Sequence, residues 1–373
     1  MEISYKEFLE KVKEKLEWVT DEIDFLYPHN TVNGLYKNGC CGYDNWTNGF
    51  YGGIIWYMYQ LTKDKKYLEI GKKCSAQFDR LLDEYMPLHH DVGFQFLDTN
   101  VADYIITGDE KAKVRALHAA NILAGRFNPV GGFIRAWNDN PNIDSDRPKT
   151  GYVIIDCMMN IPLLFWAGEI TGDPRYKQLA TIHSDTVMRE FIREDGSSNH
   201  IVDFDAATGK VVAKPAGQGY AEGSAWTRGQ SWAIYGFAMA YHYTGDRKYL
   251  DTAKNVAKYF MEHTGDYVPI DFAQPAEPAY QDNSAAAATA CGLLELMKYV
   301  DDKEKAVYAQ FVDKLMGILY KNCDFTRNDQ GILQNCSDMY HCDSNSIHHT
   351  LIYGDFYLLE ALMRLNGGDA LYY

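Results

Sequence analysis

Proline is scarce in this chain, positive charge is in the minority, and no run of residues is both long and apolar enough to span a bilayer. With 11 Pro against 30 Gly in 373 residues and a 46% hydrophobic composition, the sequence lacks the makeup of a disordered tract and reads as globular throughout. Lys and Arg number 36 against 51 Asp and Glu, a net charge of −15. That field repels phosphate backbones and anionic lipid surfaces, so neither nucleic acid nor a membrane is an expected partner. The missing apolar run excludes a transmembrane helix. The first residues, Met1 to Glu10, mix charged and apolar residues and lack the apolar stretch of a signal peptide, so cytoplasmic residence is expected. The eight cysteines form no Cys-x-x-Cys pair, and the adjacent Cys40 and Cys41 suit a disulfide framework poorly, so reduced thiols are expected. No His-Glu-x-x-His and no paired Cys/His spacing occurs, which predicts that no metal is required.

What the chain does have is a repeated punctuation: Leu61-Thr-Lys-Asp64, Ile106-Thr-Gly-Asp109, Ile170-Thr-Gly-Asp173, Tyr243-Thr-Gly-Asp246 and a degenerate Val300-Asp-Asp302. Each copy closes a run rich in aromatic and small apolar residues and opens a more polar run with apolar positions at three-to-four spacing. Gly accepts the left-handed conformation that ends one helix, and Asp then caps the next, so the repeating unit is a helical hairpin. The pattern predicts buried helices over 46–60, 95–106, 154–169, 226–243, 284–299 and 349–365. Amphipathic helices alternate with them over 4–20, 64–84, 109–125, 174–193, 246–262 and 302–320. Six inner and six outer helices make an all-α (α/α)6 toroid, a six-hairpin barrel, over one domain spanning 1–373. Short β segments in loops are expected at 131–137 and 201–205. An open solenoid would expose an apolar end, and the chain contains no charged terminal repeat to cover one.

Two carboxylates stand in unusual company. Asp156 lies alone in the most apolar stretch, Gly151 to Gly168, where burial costs an unpaired carboxylate several kcal/mol or raises its pKa, as a proton donor at neutral pH requires. Asp91 follows His89 and His90 and precedes Gly93 and Phe94. Both fall where a loop enters a predicted inner helix, as do Tyr43–Phe50, Gly217–Trp232 and Tyr340–His349, and a toroid gathers such segments at one end of its axis. Aromatic residues make up 14% of the chain, and their flat faces suit sugar rings. Trp46, Trp137 and Trp232, with polar residues beside them, are candidate platforms, and Tyr340 is another. A pair of carboxyls in that setting points to acid/base work on a sugar.

Together, His89-His-Asp-Val-Gly-Phe94, Ile154-Ile-Asp-Cys-Met-Met-Asn160, Asn199-His200 and Gln218-Gly-Tyr-Ala-Glu-Gly-Ser-Ala-Trp-Thr-Arg-Gly-Gln-Ser-Trp232 resemble the unsaturated glucuronyl hydrolases, glycoside hydrolase family 88, in register from about residue 40 to 365. The resemblance implies an (α/α)6 barrel without metal or organic cofactor. It also implies removal of the 4,5-unsaturated uronic acid that lyases leave at the non-reducing end of glycosaminoglycan fragments, chondroitin and hyaluronan among them. In that reading Asp156 is general acid and then base, and Asp91 orients the sugar and keeps Asp156 protonated. His200, Gln218 and His90 surround the sugar. Arg228 offers a cation for the uronate carboxylate, for support of the acid, or for a buried ion pair with a carboxylate such as Glu222. The partner is the oligosaccharide, taken by a monomer or small homo-oligomer.

One departure bears on substrate. Family members that accept sulfated sugars carry serines followed by a lysine on a late loop, whereas here Ser344-Asn-Ser346-Ile-His-His349 has no nearby lysine, which favours unsulfated or selectively sulfated fragments. Three other readings use the same residues. They are an unsaturated rhamnogalacturonyl hydrolase on pectin fragments, an inverting glycosidase with Asp156 as acid and Asp91 as base, and a non-catalytic carbohydrate-binding toroid.

Overall fold

Alternation between all-apolar and amphipathic runs is what builds the barrel. The computed structural model describes residues 3–23, 26–37, 42–139, 149–342 and 346–372, so Cys40, Cys41 and Ser344 lie outside the described residues. The outer helices are α1 (Tyr5–Glu22), α3 and α4 (Lys65–Ala76, Asp79–Glu84), α7 (Glu110–Gly125), α9 (Pro174–Phe191), α11 (Arg247–His263) and α13 (Asp302–Lys321). The inner helices are α2 (Phe50–Thr62), α5 and α6 (Val92–Phe96, Ala102–Thr107), α8 (Pro162–Thr171), α10 (Thr227–Thr244), α12 (Asn283–Leu296) and α14 (Ile352–Leu365). Inner helices pack on one another in chain order, and α14 returns to pack on α2, so the ring closes. Closure removes the open-solenoid alternative.

The punctuation works as its residues dictate. Gly108, Gly172 and Gly245 end α6, α8 and α10 at φ of 74°, 71° and 68°, a region where a Cβ is strained. The next residue, Asp109, Asp173 or Asp246, accepts backbone N–H bonds from the first turn of the following helix. The preceding threonine completes the joint: Thr171 Oγ1 accepts the Asp173 N–H at 3.2 Å, and Thr107 and Thr244 do the same at 3.2 and 3.1 Å. Asp64 and Asp301 cap α3 and α13 likewise, and Lys63 takes the left-handed position at φ 56°.

The ring's interior is largely apolar, and some of its polar groups tie neighbouring inner helices together. From Thr227 to Ala240 every residue of α10 is buried, and Ser231 donates to the carbonyls of Thr227 and Ala285, both at 2.9 Å, tying α10 to α12. Ala285 to Ala288 are fully buried and let these two helices approach closely.

Three expectations need correction. The inner helix expected over 154–169 starts at Pro162; before it run strand β5 (Tyr152–Ile154) and a 3-10 turn, Ile155–Met159. Pro162 has no N–H to donate, so it fits the first helical position and not the interior. The second inner helix is interrupted by a π turn at Leu97–Val101, and the outer helix expected over 64–84 is split into α3 and α4. Short strands do occur in loops. They are β1 and β2 (Thr31–Val32, Leu35–Tyr36), β3 and β4 (Phe127–Asn128, Phe133–Ile134), and a three-stranded sheet of β5 with β6 (Ile201–Phe204) and β7 (Val211–Ala213).

Candidate active site

The three-stranded sheet sets the centre of the site. Strand β5 runs antiparallel to β6 with Ile154 opposite Ile201, and the Ile155 N–H donates to the His200 carbonyl at 3.0 Å. Asp156 and His200 therefore meet at the end of the ladder, His200 Nε2 standing 3.5 Å from Asp156 Oδ2. Gly217, at φ 62°, passes over the imidazole where any Cβ would collide with Nδ1. The next residue, Gln218, donates its backbone N–H to that Nδ1 at 2.9 Å.

Asp91 arrives from the loop before α5. Asn160, four residues after Asp156, donates through Nδ2 to Asp91 Oδ1 at 3.0 Å and to the Asp156 carbonyl at 3.1 Å, while its Oδ1 accepts the Phe94 N–H at 2.8 Å. One amide thus fixes both aspartates. The sequence reading quoted Asn160 without a role; its i+4 spacing from Asp156 was the available signal. Asp91 and Asp156 are 6% and 8% exposed, so neither carboxyl is freely solvated.

Burial, and next the Asp156 carboxylate, push the Asp91 carboxyl well above its ordinary range; the bond from Asn160 and the charge of Arg126 oppose that rise. Burial also pulls His89 down to about 4 and His90 well below the usual imidazole value, with Arg126 adding to both. Neutral imidazoles therefore flank Asp91, His89 Nδ1 at 3.4 Å from Oδ2 and His90 Nε2 at 3.4 Å from Oδ1. Despite the short separations these are not ion pairs.

A cavity of about 400 Å³ opens on these groups, of a size to hold sugar rings. Asp91, Asp156, His89, His200 and Gln218 form its polar wall; Trp46, Trp137 and Met339 are among its apolar members. Met339 escaped the sequence reading, since nothing in its neighbourhood marks it. Of the predicted site residues, Asp156, Asp91, His200, Gln218, Trp46 and Trp137 converge here.

The others are placed elsewhere. His90 is fully buried behind Asp91. Trp232 is fully buried between Phe94 and Tyr357, ring centroids 5.4 and 5.5 Å away, and packs the core. Arg228 is 2% exposed and pairs with Asp282, not Glu222; it also donates to the Ser337 carbonyl at 2.7 Å and to the Asp338 carbonyl. Gln218 Nε2 donates to that same Asp338 carbonyl at 2.9 Å, so Arg228 reaches the site through the segment that orients Gln218. Tyr340 lies in an adjoining open groove with Tyr280 and packs edge-on to Tyr220 at 4.9 Å.

Among the described residues one group of metal-type donors occurs, His89, His90 and Asp91, with ligand atoms within 4.8 Å of one another. The two imidazoles stand nearest to different oxygens of the Asp91 carboxyl.

Comparison with known proteins now has a geometry to rest on. The family model described as Glycosyl Hydrolase Family 88 matches residues 29–240. The "Unsaturated glucuronyl hydrolase" of Bacillus sp. (strain GL1) is 39% identical over 352 residues, 92% of this chain and 91% of that protein. The "Unsaturated chondroitin disaccharide hydrolase" of Streptococcus agalactiae serotype III (strain NEM316) is 32% identical over 382 residues, covering all of this chain and 94% of that one. A crystal structure of unsaturated glucuronyl hydrolase from Streptococcus agalactiae superposes with a TM-score of 0.91 at 30% identity, over 100% of this chain and 94% of that chain. A mutant of that enzyme complexed with dGlcA-GalNAc6S superposes with a TM-score of 0.83 at 29% identity, over 98% and 92%.

Proposed function

The chain belongs to Glycosyl Hydrolase Family 88, and on that premise we propose how its own residues perform the reaction. It is a glycosidase that removes the 4,5-unsaturated glucuronic acid from the non-reducing end of lyase-generated glycosaminoglycan oligosaccharides by hydrating the enol ether. Asp156 gives its proton to carbon 4, and positive charge develops at carbon 5 and the ring oxygen. Water then adds at carbon 5 and returns a proton to the Asp156 carboxylate. The resulting hemiketal opens and the aglycone leaves without attack at carbon 1. Asp91 orients the sugar hydroxyls. His200 directs Nε2–H toward the reacting carboxyl, and Gln218 borders the same space.

The observation that carries this reading is two buried aspartates at the wall of a sugar-sized cavity, with one Asn160 amide bonded to the Asp91 carboxyl and to the Asp156 backbone carbonyl. Trp46 and Trp137 supply the apolar faces on which the rings rest. A single (α/α)6 domain carries the activity, as a monomer or small homo-oligomer. Chondroitin and hyaluronan fragments, unsulfated or selectively sulfated, are the substrates. Cytoplasmic residence is supported by six free thiols among the described residues and by the finding that no described helix is long and apolar enough to cross a membrane.

The test is loss of the unsaturated uronate's ultraviolet absorbance when purified protein meets an unsulfated chondroitin disaccharide, with release of the free amino sugar. Asp156→Asn should abolish that loss and leave the protein folded. Retention of more than a small fraction of the rate would overturn the role given to Asp156. Turnover of a pectin-derived disaccharide in preference would overturn the substrate assignment.

A further inference from the structure

Arg126 follows α7 as its C-cap residue, and its guanidinium lies against the loop that precedes α5. It donates to the carbonyls of Arg135, Ala136 and Leu88 at 2.9, 3.0 and 3.3 Å, and to Asn138 Oδ1 at 2.8 Å. Among the described residues it makes no ion pair, which is unusual for a partly buried cation. The Ala136 carbonyl also accepts the His90 N–H at 3.1 Å, and Asn138 donates back to the carbonyls of Met86 and Leu88, both at 3.0 Å. One guanidinium thereby joins the segment that delivers His89 and Asp91 to the segment that delivers Trp137.

We propose that Arg126 is a positioning residue of this active site: it fixes Asp91 relative to Trp137 through the Leu88 and Ala136 carbonyls, which it shares with Asn138 and the His90 N–H. This rests on the hydrolase reading above. The groups that face Asp91 are His89, His90, Asn160, Asp156 and Cys157, with His183 and His200 beyond His90. Burial and the neighbouring Arg135 pull Arg126 itself down to about 10, so it remains charged at neutral pH.

The test compares Arg126→Met, Arg126→Gln and Arg126→Lys on the unsaturated disaccharide across pH. Without the guanidinium fork, the Leu88 and Ala136 carbonyls lose their common donor and Asp91 can shift against Trp137. Arg126→Met and Arg126→Gln should therefore lower kcat about tenfold or more with a much smaller change in KM. Arg126→Lys keeps the charge but not the planar fork, and should lose kcat as well. Gln retains a donor for the Leu88 or Ala136 carbonyl, so it carries the test if Met does not fold. Wild-type kcat in a folded Gln or Met variant, full retention of kcat in Lys, or a loss confined to KM or to thermal stability, overturns the proposal. Absence of turnover by the wild-type protein would instead overturn the hydrolase reading on which it stands.

Discussion

The backbone N–H of Gln218 donates to Nδ1 of His200, and that bond decides which proton the imidazole carries. With Nδ1 accepting, the hydrogen of the neutral ring sits on Nε2, 3.5 Å from Asp156 Oδ2. Among the described residues neither Nε2 nor Oδ2, both buried, has a hydrogen-bond partner, so they are placed to meet a substrate or the water that adds to it. His200→Ala should lower kcat about a hundredfold, within the range for a positioned proton donor, while leaving a folded protein that still binds the disaccharide. Measuring kcat and KM separately checks this; a change confined to KM would make His200 a ground-state binding residue.

Asp91 shows the cost of the same arrangement to the fold. Its carboxyl is raised in the folded protein, so its contribution to stability is fully present below the unfolded pKa and is lost as pH rises through the folded value. Asp91→Asn keeps an oxygen for Asn160 and removes the ionisation. The melting temperature of Asp91→Asn should exceed that of wild type by a few degrees at pH 8 and by less at pH 5, while turnover falls sharply. A difference between the two proteins that does not grow with pH would contradict the direction assigned to Asp91. Asp355, raised to about 6 by burial, contributes a wild-type slope of the same sign.

The ring was legible because its joints are chemical. Thr, Gly and Asp each do one local job at Thr171-Gly-Asp173, and no tertiary information is needed to see it. Where tertiary contacts decide, the sequence was silent: the π turn at Leu97–Val101 carries no signature, and β5 forms only because β6 arrives some fifty residues later. The site divides the same way. Asp156, Asp91 and His200 stand out by the company they keep in the chain. The locations of Trp232 and Arg228 depend on the direction each side chain leaves α10, and on Phe94, Tyr357 and Asp282 from distant segments. Arg126 and Met339 have unremarkable neighbours in sequence and acquire their positions only in the folded ring.

The joints give a clean measurement of backbone strain. Around Gly172, Gly245 and Gly108 no heavy atom lies within 4 Å of where a Cβ would stand, so substitution meets no clash and the left-handed φ alone is charged. Gly172→Ala should destabilise by about 1 kcal/mol, and Asp173→Ala, which removes the cap of α9, by a similar amount. Denaturant titration of the two variants checks this, with activity per folded molecule unchanged because the joint stands at the end of α8 away from Asp156, about 15 Å of helix on.

Trp137 and Trp232 were alike in the sequence and should behave oppositely in the laboratory. Trp137 lines the catalytic cavity and touches Tyr152 edge-on at 6.2 Å, whereas Trp232 has no exposed surface and sits amid the aromatic core. Replacing Trp232 by Ala leaves a void that its neighbours cannot collapse to fill, at a cost of about 3–5 kcal/mol. Trp137→Ala removes a ring face from the substrate and little from the core, so KM should rise about tenfold at nearly constant melting temperature. Thermal denaturation and steady-state kinetics on both variants decide between these roles. A stable Trp232→Ala with raised KM would return Trp232 to the sugar site, and an unstable Trp137→Ala with normal KM would remove Trp137 from it.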